Sequence, residues 1–570
     1  MTAGSTNHLQ LQMPLPGIQP PAAAAVPQAP IQQAVTAPQQ AAIASTQQQA
    51  AVQPHTPHVP QTVAPPTPAP PATQPTARVP KAPAAPTQQQ TAAPTPPKEP
   101  AEPPPPLTGW RRSASNAPTL IKNLQRLRSE ICYEYPIRDI VVLGMGGSAL
   151  GVRVLADLYS HELLQQGVRL RVVDTTEPVT IQAILRDFNV RQGLVIVSSK
   201  SGGTIEPLCL GQIFFQHLSS NLGSPAAAAA HFIAVSDEGT PLSALAQSQA
   251  WRGIINTPKN VGGRFSVLTA FGLAPLVLAG VNPEEVIAAA QNMEFMCIES
   301  ELNPADKLAD SIYQNLMDGR NKLIIGHDPQ SKSFARWLEQ LIAESLGKEG
   351  KGIIPLPMPT RRANKLLALG HSDIQNVAFA NLSRRDVGED LLRWMFATEK
   401  LAEYLELDPF DQPNVEAVKR ATHSAIQGNT AHSRGGDTFG QDRLHRVLAD
   451  TRIAPPTQLP LLIGPDNFIV LMSWAPANAQ HAASLEDLAE SFEDRYHRPV
   501  VIAEGPHYLH SSGQLYKGGP NLGVYLLLTK DTPIDMPIPR AHYSLRQLYR
   551  AALSGDLEVM LSLGKPMVRL

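Results

Sequence analysis

Between Val195 and Glu206 an apolar run, Val195–Ile196–Val197, empties into Ser198, Ser199, Lys200, Ser201, Gly202, Gly203 and Thr204, then restarts with helical character at Ile205. A short buried strand that breaks into a polar turn at a helix N-terminus points several backbone N–H groups at one place, and the hydroxyls of Ser199, Ser201 and Thr204 join them. That is a cradle for a phosphate. Gly202 and Gly203 let the chain turn tightly and approach a ligand, while Ser and Thr supply donors. The same letters also describe a capped strand-to-helix turn with no ligand, so the loop alone does not define a site.

A second glycine-rich turn competes for the same role. Gly144–Met145–Gly146–Gly147–Ser148–Ala149 follows the apolar run Ile137–Leu143, and Asp174 closes the next one. This is the pattern of a dinucleotide-binding fingerprint, with the acid placed to hold a ribose. Against it, Ser148 sets a hydroxyl at the loop tip, and the Ser199–Thr204 loop has no task in that reading. Two neighbouring strand ends with hydroxyl-bearing loops suit a small phosphorylated polyol better than a long dinucleotide; the residues alone leave both readings open.

The elements that must carry these loops follow from periodicity. Residues 116–133 have helical spacing through Leu120, Ile121, Leu124, Leu127 and Ile131; Leu170–Val173 and His231–Val235 read as further buried strands, with a helix over 180–188 between them. Strands alternating with helices predict a doubly wound parallel sheet with ligands at the strand C-termini. A second such unit starts at Lys322–Gly326, with a helix over 331–346, strands at 352–355 and 377–380 and a long helix over 389–405. Beyond it, 461–463, 468–471, 500–502 and 524–528 read as strands, with a helix over 485–496. The fold class is therefore α/β: two doubly wound parallel-sheet domains, at 107–300 and 301–427, and a smaller C-terminal α/β segment at 428–570.

Residues 1–106 are Pro-, Ala- and Gln-rich with almost no charge, a composition that cannot offset its ordering entropy, and the expectation is a disordered tail. The chain has 570 residues, 43% hydrophobic, and a formal net charge of -2, which offers no electrostatic case for nucleic acid or an acidic membrane. Its three cysteines, Cys132, Cys209 and Cys297, have no metal-binding or disulfide-framework spacing, which fits a reducing compartment. Residues 1–17 lack a secretion signal, and the longest uncharged apolar stretch, 265–281, is at the short limit for a bilayer and reads as a buried helix. A soluble cytoplasmic protein is expected.

Three more blocks carry chemistry. Val261–Gly262–Gly263–Arg264–Phe265–Ser266 offers a guanidinium on a Gly-Gly loop. In Trp337–Lys348, Gln340 and Glu344 lie one helical turn apart on one face. In Asp408–Lys419 a helix starts at Pro413 and aims Gln412 and Lys419 to one side. Singly, each has a plain reading: Glu344 pairs with Lys348 at i,i+4, Arg264 pairs with a structural acid, and Lys419 is a solvated lysine.

With the Gly-x-Gly-Gly-Ser and Ser-Lys-Ser-Gly-Gly-Thr turns in this order, residues 115–570 resemble glucose-6-phosphate isomerase, and most of all the compact form fused to transaldolase in some bacteria. The resemblance implies an aldose–ketose isomerase acting through a cis-enediol with no metal or cofactor, a sugar phosphate as the only small-molecule partner, and a homodimer with the site at its interface. It assigns phosphate binding to Ser199, Ser201 and Thr204 with Lys200 beside them, and lines the site with Ser148. Glu344 becomes the base, Arg264 the stabiliser of the enediolate, Gln340 and Gln412 substrate holders, and Lys419 an aid to ring opening. These assignments suit the reaction, since proton abstraction beside a carbonyl needs a carboxylate of raised pKa and a cation at the developing oxyanion.

The chain departs from the pattern twice. Better-known members carry Ser-Lys-Thr-x-Thr-Thr where this chain has Ser-Lys-Ser-Gly-Gly-Thr, which leaves a dual phosphoglucose/phosphomannose isomerase, or a non-catalytic sugar-phosphate-binding regulator, as alternatives. The family's ring-opening histidine has two counterparts, His371 in Gly370–Gln375 and His510 in Leu509–Pro520.

Overall fold

The computed structural model describes residues 106–427, 438–476 and 478–570. The Pro-rich segment through residue 105, expected to be disordered, lies outside the described residues, as does the Gly- and Ser-rich stretch after 427.

Alternation of buried strands and helices produces three parallel sheets. The first contains β1 (Asp139–Leu143), β2 (Arg169–Val173), β3 (Gly193–Ser198), β4 (Phe232–Asp237) and β5 (Gly253–Thr257) in the order β2-β1-β3-β4-β5. Leu143 pairs with Val197, so the Gly144 turn and the Ser199 turn leave the sheet side by side. Every residue of β1 and β3 is buried, as expected where helices cover both faces of a parallel sheet. The second sheet, β6 (Lys322–His327), β7 (Ile354–Pro359) and β8 (Ile374–Phe379), is ordered β7-β6-β8. The third holds β9 (Ile453–Ala454), β10 (Phe468–Trp474), β11 (Val500–Glu504), β12 (Gly523–Thr529) and β13 (Met567–Arg569) in the order β11-β10-β12-β13-β9. Among the described residues the C-terminal segment carries five strands, against three in the second sheet.

The stretch 461–463, read as a strand, is the end of a short helix, Leu459–Leu462, started by Pro460; an apolar triplet is too short to show a period, and a proline at the first turn favours the helix. The apolar stretch around 265–281 is a helix buried on every side, Ala270–Leu278, as expected. No helix among the described residues is long and apolar enough to cross a membrane.

Six helices position the site. They are α1 (Gly147–Leu158), α2 (Ile205–Leu222), α3 (Lys332–Leu346), α4 (Pro413–Gln427), α5 (Gly513–Gly518) and α6 (Leu545–Ser562). The sheets share cores. Val142 and Ile196 of the first sheet belong to one apolar cluster with Leu323, Trp337 and Leu341; Ile324 and Leu356 join Val470, Trp474 and Leu527; Val141 and Val195 join Leu545 and Leu548 of α6. Sheet-to-sheet packing of this kind fixes the loops between them to the accuracy of a close-packed interior.

One polar network is sealed inside. Lys517 of α5 and Asp556 of α6 form an ion pair of 2.6 Å with side chains 1% and 0% exposed. Tyr508 donates its O–H to the same carboxylate and accepts from Trp474 Nε1 at 3.1 Å. Removing one partner strands the other charge in an apolar interior. Asp556→Ala is expected to cost about 3–5 kcal/mol of stability, and Lys517→Met with Asp556→Leu much less. Urea denaturation checks this; a loss under about 1 kcal/mol in Asp556→Ala, the range of solvent-exposed pairs, would contradict it.

Candidate functional site

The Ser199–Thr204 turn is built as the sequence suggests. Thr204, the extended residue that opens α2, does not cap its own helix; instead its hydroxyl accepts from Ser199 Oγ at 3.1 Å, and Ser201 Oγ accepts from the Gly203 N–H at 3.3 Å. The structure therefore gathers the three hydroxyls at a helix start whose N-cap residue makes no side-chain cap. Lys200 is turned elsewhere. Its ammonium donates to Asp237 Oδ2 at 2.6 Å and to Pro258 O at 3.2 Å, so its charge is committed to the end of β4. Lys200 and Ser201 border a cavity of about 630 Å³ that Thr240, Lys259, Asp408 and Phe410 also line.

In the second segment, α3 buries Gln340 and Glu344 to 2% and 4% exposure. Gln340 Nε2 donates to Glu344 Oε2 at 3.2 Å and to the His510 carbonyl at 2.9 Å. Arg264, 5% exposed, sets its Nε 3.5 Å from Glu344 Oε2. Its other end donates to Phe410 O at 3.0 Å and Gln412 Oε1 at 3.1 Å, which ties Gln412 to the same cluster. Burial pushes the Glu344 carboxyl above its ordinary value, and Arg264, His510, Gln340 and Lys419 pull back without reversing the shift. Beside it, Gln340 Oε1 and an Arg264 guanidinium nitrogen are buried with no protein partner. Buried polar atoms are almost always hydrogen-bonded, so these leave one acceptor and one donor beside Glu344 available to a polar ligand.

The plain reading of Glu344 as the partner of Lys348 is overturned. Lys348, also buried, donates to Asp408 O and to the backbone and carboxylate of Asp411, and so fixes the loop that delivers Gln412. Lys419 stands at the rim of the site. About a third exposed, it pairs with Glu416 at 2.7 Å, and its charge reaches both Glu344 and Glu206.

Of the two histidines, the structure brings in His510 and leaves out His371. His510 ends the turn His507–His510; its Nε2 meets Glu206 Oε1 at 3.0 Å, and its carbonyl is the acceptor of Gln340. His371 lies in the turn before β8, its Nδ1 3.3 Å from an Arg498 nitrogen. Burial and then Arg498 hold the His371 pKa below its ordinary value, and its charged neighbours Asp373, Lys322 and His497 include no site group. The expectation for His371 is corrected accordingly.

Glu206 is the group the sequence reading missed. It is buried in the first turn of α2; burial raises its pKa, but the charge and hydrogen bond of His510, a backbone donor and Lys419 outweigh that and lower it. Its only signal in the sequence was an acid two residues after Thr204, which reads as an ordinary first-turn acid.

The dinucleotide reading fails on the same geometry. Gly146 has φ of +54°, and a Cβ there would lie 2.5 Å from the His510 carbonyl oxygen and 2.8 Å from Gln340 Nε2; a Cβ on Gly147 would lie 2.1 Å from the Gly263 oxygen. The glycines therefore admit protein backbone rather than a pyrophosphate. They seat the Arg264 loop and the His510 turn around Ser148, which lies buried in the first turn of α1. Asp174, the acid expected to hold a ribose, is taken by Arg153 at 2.6 Å and His507 at 2.8 Å.

The chain is similar to known proteins in sequence and in fold. The sequence profile of the family described as phosphoglucose isomerase matches residues 131–352, which include the Ser148 and Ser199 turns, Arg264, Gln340 and Glu344. The glucose-6-phosphate isomerases of Bacillus cereus (strain B4264) and Bacillus anthracis are each 30% identical to this chain over 314 residues, 52% of it and 67% of their own length. Among solved structures, a hypothetical protein from Thermus thermophilus superposes with a TM-score of 0.51 at 24% identity, covering 57% of this chain and 91% of its own, a likeness of fold.

The Glu344 geometry makes a signed prediction. Since the folded carboxyl has a pKa above the ordinary 4.5, the folded protein holds a proton that the unfolded chain has released between that value and the raised one, and this group's contribution to stability declines as pH rises through that window. Arg264→Gln removes the nearest cation and keeps the burial. The Glu344 carboxyl should then titrate at still higher pH, as followed by ¹³C NMR; an unchanged or lower midpoint would show that Arg264 does not act on it.

Proposed function

This chain belongs to the glucose-6-phosphate isomerase family, and from that premise we propose that it interconverts glucose 6-phosphate and fructose 6-phosphate by moving a proton between C1 and C2 through a cis-enediol. The observation that carries the reading is Glu344, a carboxylate buried at 4% exposure with Arg264 3.5 Å away and two unpartnered polar atoms beside it.

In this reading the sugar is anchored by its phosphate on the hydroxyls of Ser199, Ser201 and Thr204 and the open end of α2, where hydrogen-bond donors and the helix dipole both favour an anion. Ser148 lines the sugar and Lys200 supports the phosphate turn through Asp237. The pair His510 and Glu206 opens the ring, with the histidine moving a proton between the ring oxygen and the C1 hydroxyl and Lys419 adding positive charge at the rim. Glu344 removes the C2 proton of the open aldose. The electrons of that C–H bond form the C1–C2 double bond, and the carbonyl electrons pass to O1, where Arg264 meets the negative charge. Returning the proton to C1 and shifting the O2 hydroxyl proton to O1 gives the ketose. Gln340 and Gln412 hold hydroxyls on either side. A carboxyl with a raised pKa is matched to this work, because it can both accept and return a proton near neutral pH.

We propose homodimeric assembly, with the site at the subunit interface, on the family resemblance alone. The three cysteines are free thiols, consistent with a reducing cytoplasm and with glycolytic or gluconeogenic use of the reaction.

A coupled assay on the full chain tests the proposal. Wild type should turn over both substrates, and Glu344→Gln should lose roughly 100- to 10,000-fold in kcat, the range for a general base, while still binding a sugar phosphate. Equal turnover by Glu344→Gln would overturn the mechanism. Binding without turnover by wild type would replace it with a regulatory role, and equal rates with mannose 6-phosphate would widen the substrate class.

A further inference from the structure

Asp174 has no role in the reaction as proposed, although the sequence singles it out at the end of β2. The residue is 7% exposed, and its carboxylate is clamped from two directions. Arg153 of α1 donates to both oxygens, at 2.6 and 3.2 Å, and also to the Val172 carbonyl at 3.1 Å, so the guanidinium is fixed to the strand end. The remaining contact reaches across the molecule to His507 Nδ1, 2.8 Å from Asp174 Oδ2.

His507 and His510 are the first and last residues of a single 3₁₀ turn. In that geometry residues i and i+3 eclipse each other, so both rings leave the turn on one side. One ring lands on Asp174 after β2, the other on Glu206 after β3, and these strands flank β1 in the first sheet. The rest of the turn is held by its carbonyl on Gln340 and by Tyr508 in the buried network of Trp474 and Asp556. At the His507 end, the ring is held by Asp174, while the His507 carbonyl accepts from Ser511 Oγ at 3.5 Å; of these two contacts only the one with Asp174 acts on the ring itself.

From this geometry we infer that Asp174, held by Arg153, is a positioning residue that grips His507 and so sets the direction in which His510 presents its ring to Glu206 and the sugar. The inference deepens the isomerase reading and rests on it for the role of His510. Asp174 touches no reacting atom; it acts through the turn.

The test uses the full chain and three variants. His507→Ala removes the anchor. His507→Asn keeps an N–H donor near the place of Nδ1, and Asp174→Asn keeps the shape and loses the charge. For His507→Ala, kcat should fall by about tenfold or more with KM within about threefold of wild type, because a displaced ring impairs ring opening and leaves the phosphate anchor intact. The ¹⁵N resonance of His510 Nε2 should move with it. His507→Asn should restore most of the kcat and return that resonance toward its wild-type position, a rescue that a merely structural role does not predict. Wild-type kcat in His507→Ala together with an unmoved His510 resonance would overturn the inference, as would a His507→Asn no better than the alanine variant. If His507→Ala does not fold, Asp174→Asn decides: a lowered kcat at unchanged KM supports the anchor, and an unchanged kcat refutes it. If the wild type itself shows no turnover, the isomerase reading fails, and the His510 resonance still reports whether the anchor aims the ring.

Discussion

A carboxylate kept out of water beside a guanidinium is the interaction on which the rest of this molecule depends. Glu344 and Arg264 are each about 5% exposed or less and stand 3.5 Å apart, a separation at which their attraction offsets only part of the cost of removing two ions from water. Such a pair adds little to stability by itself. It persists because other contacts over-determine it: Arg264 is gripped by the carbonyl of Phe410 and the amide of Gln412, and the loop carrying both is fixed in turn by Lys348, four residues beyond Glu344 and just past the end of α3. The acid is thus left with a raised pKa and an incomplete set of partners, a state of use for moving protons and of no use for holding a fold together.

The three sheets supply this state from different directions. The first contributes the hydroxyl turn and, through Glu206, the companion of His510; the second contributes the helix with Gln340 and Glu344; the third sends in the His507–His510 turn. Gln514 closes the arrangement, accepting from the Asn414 N–H at 3.0 Å while donating to Asn414 Oδ1 at 2.7 Å and to Gly347 O at 3.1 Å, which joins the end of α3 to the start of α4. Because the apolar cores run between sheets rather than stopping at segment borders, loops from three stretches of chain meet with the precision of a packed interior.

Much of this was legible in the sequence where a local period or a local turn decides the matter. Four strands of the first sheet announce themselves as apolar runs, whereas β5, Gly253–Thr257, is short, half-exposed and ends in Asn256 and Thr257, which hides it; Gln340 and Glu344 share a face for purely helical reasons. What escaped was set by contacts between distant residues. His371 and His510 looked equivalent because each sits among polar neighbours, and only the packing of the third sheet puts one against Glu206 and the other against Arg498. Gly144-x-Gly146-Gly147 reads as a nucleotide turn because the letters record that backbone comes close there, and do not record what comes close. Lys200 sits in the right loop but finds Asp237, a partner thirty-seven residues on, invisible to any short window.

The contact at Gly146 also limits how such a chain can drift. No side chain fits between that glycine and the carbonyl of His510, so the two turns have a mutual clearance smaller than a methyl group. Neither can be lengthened, shortened or refilled alone: an insertion in one displaces the other, and with it the ring that faces Glu206. Tolerated change at this seam must therefore come in matched pairs, and the early glycine turn and the late histidine turn behave, for the purpose of variation, as a single piece of the molecule.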